Sequence, residues 1–199
     1  MTISGVPYRK GHGTGNEFIL VSGLDGYFAD PKSVTPKIAQ SLCNRDSGLG
    51  ADGILRVAKA SEFDIDDAQY FMDYTNADGS LSATCGNGLR VFARYLVEAG
   101  LENRGQFTIG TRAGTVTVAI SETDTDFTNI AVTMGHVSLG PMDVTVQTET
   151  GSWPAVGIAG MNNHAISVVD DIAEAGSLKD IPPRYLLESK KATVIILFG

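Results

Sequence analysis

Leu89-Arg90-Val91-Phe92-Ala93-Arg94-Tyr95-Leu96-Val97-Glu98-Ala99, closed by Gly100, reads as a helix whose circumference is apolar nearly all round. Arg90, Arg94 and Glu98 form its one thin polar stripe, and Gly100 is a stop signal. Such a helix must be surrounded by protein, so the sequence predicts a curved sheet wrapped round it. The strands are sought on either side. Residues 17–21 form a short continuous apolar run. Residues 68–75 alternate in part, with Tyr70, Met72 and Tyr74 on one face and Phe71, Asp73 and Thr75 on the other. Residues 106–111, 115–120 and 130–134 follow too closely for intervening helices and read as an antiparallel meander, which 144–148 and 165–169 extend. Thr35 before Pro36 starts a second helix running to about Asn44. The expected class is α+β, a mostly antiparallel curved sheet round a central buried helix.

Composition narrows the function. The chain has 199 residues, 43% hydrophobic and 19% charged, an ordinary globular mixture long enough for one large domain or two small ones. A boundary near 135–142, where glycines follow the meander, divides it into expected domains 1–135 and 136–199. The 15 Lys plus Arg against 23 Asp plus Glu give a formal charge of -8 with no basic cluster. That argues against nucleic acid and against an anionic membrane, and favours a small-molecule partner. No stretch approaches the roughly 20 apolar residues of a membrane span, and residues 1–5 lack a charged segment leading into an apolar core, so a cytoplasmic location is expected. The two cysteines, Cys43 and Cys85, are too few for a disulfide framework or a structural zinc site, so at least one is a candidate for reactivity and no metal is expected.

The stretch entering the buried helix is Asn76-Ala77-Asp78-Gly79-Ser80-Leu81-Ser82-Ala83-Thr84-Cys85-Gly86-Asn87-Gly88-Leu89-Arg90. It puts a thiol just before a helix N-terminus. Free backbone amides there favour the thiolate of Cys85 and can hold a carboxylate beside it. Gly86 and Gly88 let a ligand approach the backbone closely. A buried structural cysteine before a Gly-Asn-Gly turn is the plainer alternative on local sequence alone.

The whole string resembles the first active-site motif of the diaminopimelate epimerase family, Asn-Ala-Asp-Gly-Ser followed by Cys-Gly-Asn-Gly-x-Arg. Lys10-Gly11-His12-Gly13-Thr14-Gly15-Asn16-Glu17-Phe18 is similar to that family's N-terminal segment, and Gly48-Leu49-Gly50-Ala51-Asp52-Gly53 to its Gly-x-Gly-x-Asp-x loop. The resemblance implies an isomerase of lysine and peptidoglycan-precursor synthesis that inverts an α-carbon without a cofactor. Two thiols on opposite faces remove and return the proton. It implies Cys85 as one thiol, Gly86 and Asn87 as carboxylate-binding amides, and Asn16 and Asn76 as substrate contacts. In Gly160-Met161-Asn162-Asn163-His164-Ala165, similar to the family's Gly-Asn-Pro-His, it implies Asn162 as a further contact and His164 as a polar residue near the first thiol. Here the family's glycine is Met161 and its proline is Asn163. Some members have glutamine at the position of Gly53. The family works as a two-domain monomer or a homodimer.

The family is built from two similar halves, and the resemblance covers the first half and the start of the second. The Ala-Cys-Gly-Thr/Ser-Gly motif with the partner thiol has no counterpart after Cys85. From about Pro182 the sequence departs from the family and ends on Val194-Ile195-Ile196-Leu197-Phe198. The expectation is a truncated or frameshifted form, with an incomplete second domain, one strand missing from the first sheet and part of the buried helix uncovered. The functional alternatives are another cofactor-free racemase or isomerase of the same fold, such as a proline racemase, and a non-catalytic, amino-acid-binding half-domain. Five residues get plain readings: His12 as a strand-end or loop residue, Cys43 as core packing, Trp153 as a packing anchor and the pair Asp170-Asp171 as a turn or helix cap. Residues 122–126 read as a solvated turn.

Overall fold

A computed structural model of the chain describes residues 5–140, 144–148, 150–161, 163–176, 184–185 and 193–198. The chain divides into two compact units, Met1–Met134 and Gly135–Gly199. In the first, seven strands form one sheet in the order of the sequence: β1 (Tyr8–Gly13), β2 (Asn16–Ser22), β3 (Gly53–Lys59), β4 (Tyr70–Asn76), β5 (Gly105–Thr111), β6 (Gly114–Ile120) and β7 (Ile130–Thr133). The joins β1–β2, β3–β4, β5–β6 and β6–β7 are antiparallel, whereas β2–β3 and β4–β5 are parallel. Each parallel join needs a crossover, and the two crossovers carry the helices α1 (Pro36–Cys43) and α2 (Gly86–Glu98).

Strands β2 and β3 are buried on both faces, so they read as continuous apolar runs instead of alternating. Ile19, Val21 and Ile54 pack with Ala39 and Cys43 of α1. On the opposite face Phe18 and Leu55 approach Gly88 of α2, and Phe18 meets the ring of Tyr74 edge-on at 5.7 Å. Helix α1 starts as its sequence dictates: Thr35 accepts the Ile38 amide at 3.3 Å, and Pro36 fills the first helical position.

Helix α2 packs on β1, β2 and β3 and also on β7, the far end of the same sheet, so the sheet curls round it. Leu89, Phe92, Ala93 and Leu96 are fully buried. Val91 and Tyr95 are only half-buried, at the floor of an open groove of about 680 Å³ between β1 and β7. Among the described residues of the first unit, the sheet encloses the helix on most of its circumference and leaves one strip partly exposed.

The second unit holds β8 (Ser138–Leu139), β9 (Val144–Gln147), β10 (Ser152–Ala159), β11 (His164–Val169), β12 (Arg184–Tyr185) and β13 (Thr193–Phe198), ordered β12-β9-β10-β11-β13 with β8 also on β10. Residues 144–147 and 164–169 thus belong to this second sheet and do not extend the meander of the first. They do not pair with each other, because β10 lies between them. The sequence reading passed over β10, whose Pro154 and Gly157 are poor strand signals, and also β1 and β3. The apolar run at 193–198 is a strand paired in parallel with β11, from His164↔Thr193 to Val169↔Phe198. Asp171 caps the short 3-10 turn Ile172–Ala175 by accepting the Ala173 amide at 2.9 Å. No helix among the described residues is long and apolar enough to cross a membrane.

Candidate active site

The helix carrying the thiol begins at Gly86, three residues before Leu89, so Gly86-Asn87-Gly88 form its first turn and Cys85 is the N-cap. The Cys85 sulfur accepts the Gly88 amide at 3.4 Å. Cysteine is not among the residues favoured for capping, and a serine or aspartate oxygen would cap more strongly. A weak capping residue at this position makes Cys85 a candidate for chemistry. The amides of Gly86 and Asn87 belong to the first turn, where the helix supplies no acceptor for them. The β1–β2 hairpin presses on this turn: a Cβ on Gly13 would lie 2.7 Å from the Asn87 carbonyl oxygen. Arg90 holds the Asn87 side-chain oxygen and also donates to Thr14 at 3.0 Å.

Asn16, at the start of β2, brings its Oδ1 to 3.8 Å from the Cys85 sulfur. Its Nδ2 donates to Asp52 Oδ2 at 2.7 Å. The Glu17 amide and the Arg45 guanidinium also donate to the Asp52 carboxylate, at 2.8 and 2.9 Å. Burial pushes the Asp52 carboxyl up, but the Glu17 amide, the Asn16 amide and Arg45 outweigh it and hold the group below the usual carboxylate range. Asn76 ends β4 and donates to Ser80 Oγ at 3.0 Å, closing the Asn-Ala-Asp-Gly-Ser turn. The loop from that turn to the thiol is pinned from the β5–β6 hairpin. Arg112 donates to the carbonyls of Tyr74 and Ser82 at 3.1 and 3.4 Å and to the Asp73 carboxylate, and the Ala113 amide donates to the Ala83 carbonyl at 3.1 Å.

The chain that carries this arrangement of thiol, amides and carboxamides is similar to known proteins. The sequence pattern of the family described as diaminopimelate epimerase matches residues 8–140. The chain belongs to the diaminopimelate epimerase family. Diaminopimelate epimerases of Streptomyces coelicolor and Corynebacterium glutamicum are 38% and 39% identical to it over 185 residues, covering 90% of this chain. The matched part is 61% and 64% of those relatives, so the chain spans about three fifths of their length. The diaminopimelate epimerase of Thermobifida fusca is 46% identical over 144 residues, 67% of this chain and 50% of that one. A hydroxyproline epimerase from Agrobacterium vitis superposes with a TM-score of 0.61 at 16% identity, and a probable proline racemase from Agrobacterium radiobacter with 0.62 at 18%. Each covers 85% of this chain and 52% of the solved one, and at such identities the likeness is one of fold.

One departure from the diaminopimelate epimerase pattern, at Gly53, has a local cause. At Gly53 a Cβ would lie 2.4 Å from the Tyr74 ring and 2.7 Å from the Thr75 carbonyl oxygen, so Tyr74 occupies the space a longer side chain would need. Burial raises the Tyr74 phenol, and the neighbouring Cys85, Asp52, Cys43 and Asp78 raise it further, so it stays protonated. Cys43 lies in the α1 core, where burial and the nearby Asp52 outweigh Arg45 and push its thiol up to about 11. His12 lies exposed in β1. His164 opens β11 in the second unit, half-buried, its Nδ1 buried and without a hydrogen-bond partner among the described residues. Asn162 lies outside the described residues. The sequence reading did not single out Arg45, Asp52, Tyr74 or Arg112 as site residues; of these only Asp52 stands in a quoted motif.

Proposed function

We propose that this chain forms one proton-transferring side of a cofactor-independent diaminopimelate epimerase, with Cys85 acting on one face of the substrate α-carbon as the LL and meso forms interconvert. The observation that carries this reading is the half-buried Cys85 sulfur at the N-cap of α2, with the Gly86 and Asn87 amides beside it and Asn16 Oδ1 at 3.8 Å. The substrate carboxylate lies on those amides, where charge developing at the α-carbon is delocalised and stabilised. Asn16 and Asn76 hydrogen-bond the substrate. The Cys85 thiolate takes the α-proton and becomes a thiol, leaving the electron pair on the α-carbon. Return of a proton from the same sulfur restores the starting isomer, and delivery by a second thiol on the opposite face inverts it. The reaction belongs to lysine and peptidoglycan-precursor synthesis, which places it in the cytoplasm.

Incubation with diaminopimelate in heavy water tests the reading. Deuterium is expected at the α-position, and Cys85→Ala is expected to abolish its entry, since loss of a positioned base costs ~10²–10⁴-fold. No exchange at high protein concentration overturns it. A second reading, an amino-acid-binding half-domain without turnover, rests on the Gly86 and Asn87 amides in the first turn of α2, which can hold a carboxylate without any proton transfer. It predicts saturable diaminopimelate binding by calorimetry with no isotope exchange. Exchange into proline but not diaminopimelate would move the chain to a racemase of the same fold.

A further inference from the structure

Asn16 has two chemically different ends, and the structure uses both. A carboxylate only accepts hydrogen bonds, so the end 2.7 Å from Asp52 Oδ2 is the amide nitrogen, and the end left facing the Cys85 sulfur is the carbonyl oxygen. Asp52 cannot turn away from this task. Its Oδ2 also receives the Glu17 amide and its Oδ1 the Arg45 guanidinium, which engages Glu17 as well. The orientation of an amide beside the thiol is thus set from a loop that does not touch the sulfur.

We infer that Asp52 is a positioning residue for Cys85: by fixing the Asn16 carboxamide it keeps an acceptor, and withholds a donor, at the sulfur. The inference rests on the reading of Cys85 as the reacting thiol. An acceptor there receives the S–H and favours the protonated sulfur, whereas the Gly88 amide favours the thiolate. The two opposed contacts let one sulfur both take and give a proton. Without Asp52 the Asn16 amide is free to turn its NH₂ to the sulfur, and both contacts then favour the thiolate. The sulfur abstracts well and returns the proton poorly.

The other groups around the thiol are accounted for. Tyr74 of β4 stays protonated, and Glu17 of β2 and Asp52 are held ionised beside Arg45, so none of these changes charge between about pH 6 and 9.

The test is the pH profile of Cys85 alkylation by iodoacetamide, read by peptide mapping in the whole chain. Asp52→Ala is expected to alkylate about tenfold faster at pH 7, its profile displaced to lower pH, the size of one acceptor exchanged for a donor at an ionisable group. Asp52→Asn removes the same charge but keeps an oxygen for Asn16 and the Glu17 amide, so it is expected to stay within about threefold of the parent. In an Asn16→Ala background the two substitutions are expected to become indistinguishable, because Asp52 then has nothing to orient. Equal displacement by both in the parent background means that charge alone acts and overturns the inference, as does no displacement by either. If Asp52→Ala does not fold, Asn16→Asp serves: it removes the donor that selects the orientation and is expected to slow alkylation at pH 7, and an unchanged rate overturns the inference. Failure of the underlying reading is separate. It appears as a parent Cys85 that alkylates no faster than the buried Cys43.

Discussion

Arg56 Nε donates to Asp73 Oδ2 at 2.8 Å inside the first unit, with the arginine side chain wholly removed from solvent. The other Asp73 oxygen takes the Arg112 guanidinium, so one carboxylate balances two arginines. Arg56 also donates to the Phe28 carbonyl at 3.1 Å and to Glu62 at 3.3 Å. Asp73→Ala strands buried positive charge and is expected to cost about 3–5 kcal/mol in urea unfolding. A loss under 1 kcal/mol would show that the arginines find other partners.

Arg112 joins that network to the loop before the thiol, so its loss is expected to act locally. Arg112→Lys cannot reach Asp73 and the Tyr74 and Ser82 carbonyls together, because a lysine ammonium lacks the planar fork. The expected outcome is a loss of about 1–2 kcal/mol, with hydrogen exchange accelerated in residues 82–88 and unchanged in β2 and β3. Uniform acceleration throughout the first unit would refute a local role.

Gly13 lies against the first turn of α2 with no room for a methyl group: the added carbon would stand 2.7 Å from the Asn87 oxygen and 3.2 Å from its Cα. Gly13→Ala is expected to cost about 1–3 kcal/mol. On the proposed function it also weakens diaminopimelate binding by calorimetry, since the displaced backbone carries the carboxylate-binding amides. Gly100→Ala serves as a control, because its positive φ of 69° strains alanine without touching the site.

The Glu17 carboxyl is held below its ordinary range by hydrogen bonds from Arg45 and Lys10, and Asp52 lies low for the reasons given above. The unfolded chain therefore takes up these protons first as the pH falls. Their stabilisation is complete above the ordinary values of about 4 and is lost as the pH drops through the lower folded-state values. Arg45→Met brings the folded values back up, and the acid-unfolding midpoint is expected to move to higher pH. An unmoved midpoint would show that the pairing contributes nothing to acid stability.

Cys43 and Cys85 should separate by reactivity. With Cys43 pushed up to about 11 inside the α1 core, native protein at pH 8 is expected to consume one equivalent of a thiol reagent quickly, at Cys85, and two in urea. Fast labelling of Cys43 in native protein would mean that the α1 core opens readily.

Much of this was legible in the chain because local chemistry and packing agree there. Thr35-Pro36 caps a helix wherever it occurs, and the apolar circumference of residues 89–99 admits only a surrounded helix. The β5–β6–β7 meander follows from its short connections. The failures share a cause. β1 carries Arg9, Lys10 and His12 on a strand that ends the order of the first sheet, and β10 contains proline and glycine, so neither shows the alternation that marks a half-buried strand. β3 hides a buried Arg56 in an apolar run, a pairing visible only once Asp73 lies opposite in register. At the site, Cys85 and Asn16 are readable from their motifs. Their meeting across 69 positions is a product of the β2–β3–β4 sheet, and so is the part played by Asp52.

Because the sulfur is the cap of α2, its location is written in helical phase and not in loop length. Sliding the helix by one residue would swing the capping position by about 100° and carry the sulfur off the site. Residues 77–84 carry no such helical phase; turn hydrogen bonds and the Arg112 contact to Ser82 hold them instead. Among descendants of this sequence the interval from Cys85 to the buried Leu89 is therefore expected to stay fixed at four.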